Sequence, residues 1–271
     1  MIPNLLVAAA VTSALGVLGG LGGAVLLVPA LVVTGTAVVD AAPLGLLTVV
    51  AGSIASGPRH LVRKAVNHRL GVSIGLLAST GAMTGALVAG RLPERPMIWL
   101  LAAVALTVAF VGGRRTRIRN LARTDLGPED VGERVGSLSG AYASRKGVAF
   151  YRVRRVPMGL GLMGLAGLLA GTTGASGGFI LTPVTSELMN VPTRVAAATT
   201  TFTIGVTSAA ALIVFSLQGR IDVRPASAVI LGSLLGAWAG ARLQSRLPAV
   251  TVRRALSIIL VIVSLVLVAA T

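Results

Sequence analysis

Apolar segments recur along the chain at about 2–19, 22–39, 41–57, 70–90 and 97–112, and again at about 158–171, 178–190, 195–217, 226–245 and 252–270. Most approach the 17–25 residues or so that cross about 30 Å of hydrocarbon as a helix. One long polar stretch, Arg114 to Arg155, separates the two sets. The pattern predicts an all-α polytopic membrane protein with five helical pieces on each side of a linker.

Composition supports this reading. Of the 271 residues 54% are hydrophobic and only 12% charged, whereas a soluble domain needs roughly a quarter charged. The net charge of +16 invites a nucleic-acid partner. However, eleven of the 24 Lys and Arg sit in the linker and most others flank apolar runs. There they set topology and meet anionic lipid headgroups. Stacking aromatics are scarce at 3% of residues, so no nucleic-acid partner is expected. The opening "MIPNLLVAAAVTSALG" lacks a basic leader region and is read as part of the mature chain.

The two sets of segments repeat one sequence. Gly20–Pro29, "GLGGAVLLVP", aligns with Gly174–Pro183, "GASGGFILTP", at an offset of 154. Gly81–Pro93, "GAMTGALVAGRLP", aligns with Gly236–Pro248, "GAWAGARLQSRLP", at 155, with seven of thirteen positions identical. Two ordered matches at nearly the same offset define homologous halves, 1–112 and 158–271, joined by a polar linker at 113–157. Eleven basic residues face four acids in that linker, which predicts a cytoplasmic, partly disordered loop.

Equivalent connections carry opposite charge. The loop after the third segment has Arg59, Arg63, Lys64 and Arg69 in half one, but Arg220, Asp222 and Arg224 in half two. The next connection reverses the bias: Arg91, Glu94 and Arg95 against Arg242, Arg246, Arg253 and Arg254. Positive loops stay on the cytoplasmic side, so the halves are expected to be inverted repeats, each a Gly/Pro-broken hairpin plus about three transmembrane helices.

The breaks carry the candidate chemistry. The pieces 158–171 and 178–190 are only about 14 and 13 residues, near 20 Å as helix, which predicts a re-entrant hairpin. A helix starting after Gly22-Gly23, or after Ser176-Gly177-Gly178, exposes unpaired N–H groups and a positive dipole end suited to an anion. Thr172, Thr173 and Ser176 add hydroxyl donors. A second cluster, Thr199, Thr200 and Thr201, is expected to open a helix facing the same ligand. The Gly81/Gly85 and Gly236/Gly240 pairs are read as helix-packing positions.

Other chemistry is thin. With no cysteine, thiolate catalysis and Cys metal sites are excluded. His60 and His68 sit in a basic loop, Asp40 and Glu187 near segment ends, and Arg242 within reach of the surface. No carboxylate pair, Ser-His arrangement or ligand cluster recommends an enzyme, a metal or a cofactor. Two function classes remain: a carrier of a small anion by alternating access, and a non-transporting assembly or sensor component with a basic cytoplasmic loop.

The paired Gly-rich motifs ending at Pro29 and Pro183 resemble the sulfite exporter TauE/SafE family of membrane permeases. So do the Ala-x-Thr-Thr stretch at Ala197–Thr200 and "LGSLLGAWAGARLQSRL" at Leu231–Leu247. The resemblance implies export, or in some members uptake, of small sulfur-containing anions such as sulfite, sulfoacetate or thiosulfate, in the bacterial cytoplasmic membrane. One departure stands out. Where the first repeat of the family has Thr and a small polar residue, this chain has "AAPLG", Ala41 to Gly45. Half one is therefore expected to contribute less to the site.

Overall fold

In a computed structural model of the chain, the described residues are 2–19, 22–62, 66–112, 131–134, 136–144, 147–243 and 249–269. Five helices precede the linker: α1 (Ile2–Gly19), α2 (Ala24–Val33), α3 (Val38–Val62), α4 (His68–Ala89) and α5 (Glu94–Gly112). Five follow it: α6 (Val156–Thr173), α7 (Gly178–Pro183), which runs into a π-helical turn at Val184–Leu188, then α8 (Thr193–Leu217), α9 (Val223–Leu243) and α10 (Ala249–Ala269). The starts of α1 to α5 map onto those of α6 to α10 at offsets of 154 or 155, the spacing of the sequence repeat. Among the described residues, five helices are long and apolar enough to cross a membrane: α3, α4, α6, α8 and α9.

The second helix of each half is the short one. Both α2 and α7 carry a proline at their sixth residue, Pro29 and Pro183. Proline removes a hydrogen bond and crowds the carbonyl one turn back. After Pro183 the ladder widens, with Met189 N–H donating to Val184 O at 3.0 Å. In contrast, α6 has 18 residues, or about 27 Å of rise. The expected pair of short pieces is thus corrected: α6 is long enough to span, and only α7 with its π turn is short. The apolar run was cut early because Pro157 and Thr172-Thr173 lie outside it, yet both fit helix ends. Pro stands in the first turn, and Gly174 closes the last at φ 69°.

The halves pack by exchanging equivalent partners. Helix α1 lies on α9 and α4 on α6, while α3 meets α8 and α5 meets α10. Glycines bring these backbones together. Methyl groups at Gly232 and Gly236 would collide with the Leu6 and Ala10 carbonyls, and one at Gly240 would sit 2.6 Å from Ala14 O. Gly81 and Gly85 likewise abut the carbonyls of Gly164 and Leu168, with Gly167 and Gly171 against Ala78 and Ala82. These rising pairs make α1 parallel to α9 and α4 parallel to α6. The small-residue pairs picked out in the sequence therefore serve close packing. In contrast, Asp40 near the start of α3 pairs with Arg220 just past the end of α8 at 3.3 Å, while Asn67, beyond the end of α3, bonds Thr199 near the start of α8, so α3 and α8 run antiparallel.

The linker contains an antiparallel three-stranded sheet: β1 (Gly132–Glu133), β2 (Gly140–Ser144) and β3 (Gly147–Tyr151). Of the linker expected to be partly disordered, these residues are ordered, and 113–130 lie outside the described residues. Ala149 and Tyr151 are buried, so an apolar face is hidden among the arginines. The sheet clamps the start of α4. Asn67 Nδ2 donates to Leu138 O at 2.8 Å and to the Tyr151 hydroxyl at 2.9 Å, while its Oδ1 caps α4 through Leu70 N–H. His68 N–H donates to the Glu133 carboxylate, which also pairs with Arg69 at 3.8 Å. Burial pushes the Tyr151 phenol up to about 12, against the opposing effect of the Asn67 hydrogen bond.

Candidate functional site

The two breaks in the chain meet. After α1 the backbone turns at Gly22 (φ 82°), and Gly23 caps α2. A methyl at Gly22 would lie 3.1 Å from Ser176 Oγ, in the break between α6 and α7. Beside this contact is a cavity of about 180 Å³, room for several waters or one small polyatomic ion. Half one lines it with Ser13 and Gly16 of α1, Gly22 and Gly23, and Thr48, Gly52, Ser53 and Ser56 of α3. Half two contributes Gly178, Thr182, Thr200, Thr201 and Ile204. These described lining residues are all uncharged.

Of the ten residues singled out in the sequence, the structure brings Gly22, Gly23, Gly178, Thr200 and Thr201 to the cavity wall. Thr200 Oγ1 and Thr201 Oγ1 each donate to Ala197 O, at 3.2 and 2.8 Å, and the hydroxyls among the other five are also bonded within the protein. Thr172 Oγ1 donates to Leu168 O at 2.9 Å, and Thr173 Oγ1 to Leu169 O at 2.7 Å. Ser176 Oγ accepts from Gly178 N–H at 3.2 Å and caps α7 beside Gly177. Thr199 Oγ1 accepts from Asn67 N–H at 3.0 Å, which ties α8 to the start of α4. The expected helix start at Thr199–Thr201 is also corrected. Helix α8 begins at Thr193, so these threonines lie in its second and third turns and their amides are within the ladder. The segment start was set late because Thr193 and Arg194 are polar.

Half one lines this cavity as extensively as half two, although a smaller share was expected of it. Its Gly45 leaves the space through which the Gly174 carbonyl passes, 2.6 Å from where a Cβ would stand. At the equivalent position, 155 residues on, Thr200 has room to face the cavity and shares a 2.9 Å hydrogen bond with Thr182 Oγ1. Half one places its hydroxyls one turn or more further along α3. Sequence reasoning missed Ser13, Thr48, Ser53, Ser56 and Thr182. The repeat itself held a signal for two of these, since the 155-residue offset maps Thr203 onto Thr48 and Ser208 onto Ser53.

Hydroxyl bookkeeping separates the wall residues. Ser56 Oγ donates to Gly52 O at 2.7 Å, and Thr48 Oγ1 accepts from Ser233 Oγ at 3.2 Å. Ser13 Oγ and Ser53 Oγ have no hydrogen-bond partner among the described residues. Gly23, the N-cap of α2, stands in the cavity wall, and the Ala24 and Val25 amides that follow it have no acceptor in their own helix. Elsewhere, Asp40 pairs with Arg220 at 3.3 Å, and the Arg242 guanidinium stacks 3.5 Å above Trp238. Among the described residues no three His, Asp or Glu side chains gather as a metal site.

A cavity lined in part by hydroxyls, where broken helices from two five-helix sets meet, defines a polytopic α-helical membrane protein of the transporter class. The sequence profile of the family described as "Sulfite exporter TauE/SafE" matches residues 5–267, and the chain belongs to that family of membrane transporters. It is 21% identical over 269 residues to the "Probable membrane transporter protein YunE" of Bacillus subtilis, covering 96% of this chain and 94% of that protein. It is also 33% identical over 106 residues to the "Sulfite exporter TauE/SafE family protein 3" of Arabidopsis thaliana, covering 39% of this chain and 22% of that one. No solved structure matches.

Proposed function

We propose that the protein carries a small anion of the sulfur oxyanion class out of the cell across a bacterial cytoplasmic membrane. The observation that carries this reading is the meeting of the two breaks, Gly22 against Ser176, beside a cavity into which both sets of helices bring hydroxyl side chains. Such donors replace the water that an anion loses on entering the membrane. Gly22, Gly23, Gly178, Thr200 and Thr201 are the proposed contacts; Thr172, Thr173, Ser176, Gly177 and Thr199 hold the breaks in shape around them.

In this reading 1–112 and 158–271 are inverted repeats that rock against each other, with 113–157 on the cytoplasmic side. The antiparallel course of the equivalent helices α3 and α8 supports it. Charge placement supports it as well. The sheet grips the start of α4, and α8 starts at the same end through the Asn67–Thr199 bond. The cationic turn between α3 and α4 and the Arg242 end of α9 then fall on the linker side, as the positive-inside rule requires.

The chain has no cysteine, so single cysteines report sidedness directly. In intact cells an impermeant maleimide is expected to label Thr34→Cys and Asp222→Cys but not Arg152→Cys. Labelling of Arg152→Cys together with the other two contradicts the topology. For transport, purified protein in liposomes is expected to move sulfite or small organosulfonates such as methanesulfonate down a gradient. No protein-dependent flux of any of them favours the non-transporting alternative.

A further inference from the structure

We infer that the cavity selects singly charged anions over doubly charged ones, with the Ser13 and Ser53 hydroxyls as the donors that bind them. This inference rests on the transport reading above. Four buried hydroxyls among the described residues have no hydrogen-bond partner: Ser13, Ser53, Ser79 and Thr207. Two of the four line this one cavity. Ser13 is only 1% exposed, and its Oγ lies 2.8 Å from where a Cβ on Gly23 would stand, next to the first amides of α2. A buried hydroxyl without a partner is costly, which marks this pair as donors kept for a ligand.

The charge the wall can compensate is small. The start of a helix such as α2, ten residues long, offers about half an elementary charge. In half two the corresponding amide, Gly178 N–H, is already bonded to Ser176 Oγ. The described wall residues include no cation to add to this. Dehydration cost grows with the square of the charge, so a dianion costs about four times as much as a monoanion to bring in. Compensation by fixed dipoles grows only in proportion to charge. A wall of two free hydroxyls and one helix start is matched to a monoanion.

Three probes of fixed or titrating charge separate the possibilities in proteoliposomes: methanesulfonate, always singly charged; sulfate, always doubly charged near neutrality; and sulfite, which passes from one form to the other. Methanesulfonate flux is expected to be independent of pH and at least about tenfold faster than sulfate flux. Sulfite flux is expected to fall about tenfold per pH unit once the dianion dominates. Sulfate moving as fast as methanesulfonate, or sulfite flux rising with pH, overturns the inference and leaves the transport reading standing. Flux of none of the three overturns both. Ser13→Ala and Ser53→Ala are each expected to raise the KM for methanesulfonate about tenfold, the worth of a hydrogen bond to an anion. Ser79→Ala, away from the cavity and equally unpartnered, is the matched control and keeps the wild-type KM. Unchanged KM in both cavity variants removes these serines from recognition.

Discussion

Gly22 and Ser176 come from breaks 154 residues apart, yet no Cβ fits comfortably between them: one on Gly22 would lie 3.1 Å from Ser176 Oγ and 3.3 Å from its Cβ. Gly22 also holds φ at 82°, a region that side chains rarely adopt. Both constraints fall on one residue of the cavity wall. Gly22→Ala is expected to cost about 1–2 kcal/mol from the backbone alone and to lower thermal stability in detergent. Transport is expected to fall further than stability, because the methyl separates the two breaks. Wild-type flux in this variant would show that their contact is dispensable.

Asn67 joins three parts of the molecule with five hydrogen bonds: the sheet, the first turn of α4, and Thr199 of α8. Asn67→Ala removes the cap, worth about 1 kcal/mol, and takes the donor from the buried Tyr151 hydroxyl and the half-buried Leu138 O, at about 1–3 kcal/mol more. Asn67→Asp keeps the capping oxygen but loses both side-chain donations. Thermal unfolding is therefore expected to rank wild type above Asn67→Asp, and Asn67→Asp above Asn67→Ala. Equal midpoints for the two variants would mean the sheet is not held through this side chain.

Tyr151 sits at about 12 instead of the ordinary 10 because burial disfavours its phenolate. The folded value is the raised one. The stability contributed by the neutral phenol is thus complete below about pH 10 and is lost as pH rises through about 12. In Tyr142→Phe, where Tyr151 is the remaining tyrosine, tyrosinate absorbance is expected to appear near pH 12. Sheet release and loss of the α4 clamp are expected to accompany it. Titration near 10 would place Tyr151 in water.

Glycine positions in the helix seams separate packing from permissiveness. Gly236 faces the Ala10 carbonyl with no room for a methyl, whereas nothing stands within 4 Å of a Cβ on Gly161. Gly236→Ala is expected to force α1 and α9 apart and reduce folded yield; Gly161→Ala is expected to be tolerated. Equal yields would contradict the close approach of α1 and α9.

How much of this was readable in advance depended on which forces were local. Helix number, the repeat offset and the packing glycines follow from periodicity and spacing, and the chain shows them openly. The α6 boundary was misplaced because Thr172 and Thr173 look polar, although each satisfies its hydroxyl on its own helix. The sheet was hidden because eleven basic residues in the linker outweigh the few apolar ones, Ala149 and Tyr151 among them, that it buries. The wall serines were missed for a different reason. Ser13 and Ser53 are isolated in apolar helices, and only the tertiary meeting of α1, α3 and the Gly22-Gly23 break gives them a shared space. Thr200 was legible, but Gly45, its equivalent, could be understood only once the Gly174 carbonyl was seen beside it.

The central claim is that an anion passes through the cavity beside the Gly22–Ser176 contact, and Thr200 is the wall residue that tests it with least disturbance. Its Oγ1 faces Thr182 at 2.9 Å, and valine matches its shape without the hydroxyl. The decisive measurement is the initial rate of sulfite flux in liposomes holding equal amounts of folded wild type and Thr200→Val. The account predicts saturable flux for wild type and a loss of at least about tenfold in the variant; equal, saturable flux in both would contradict it.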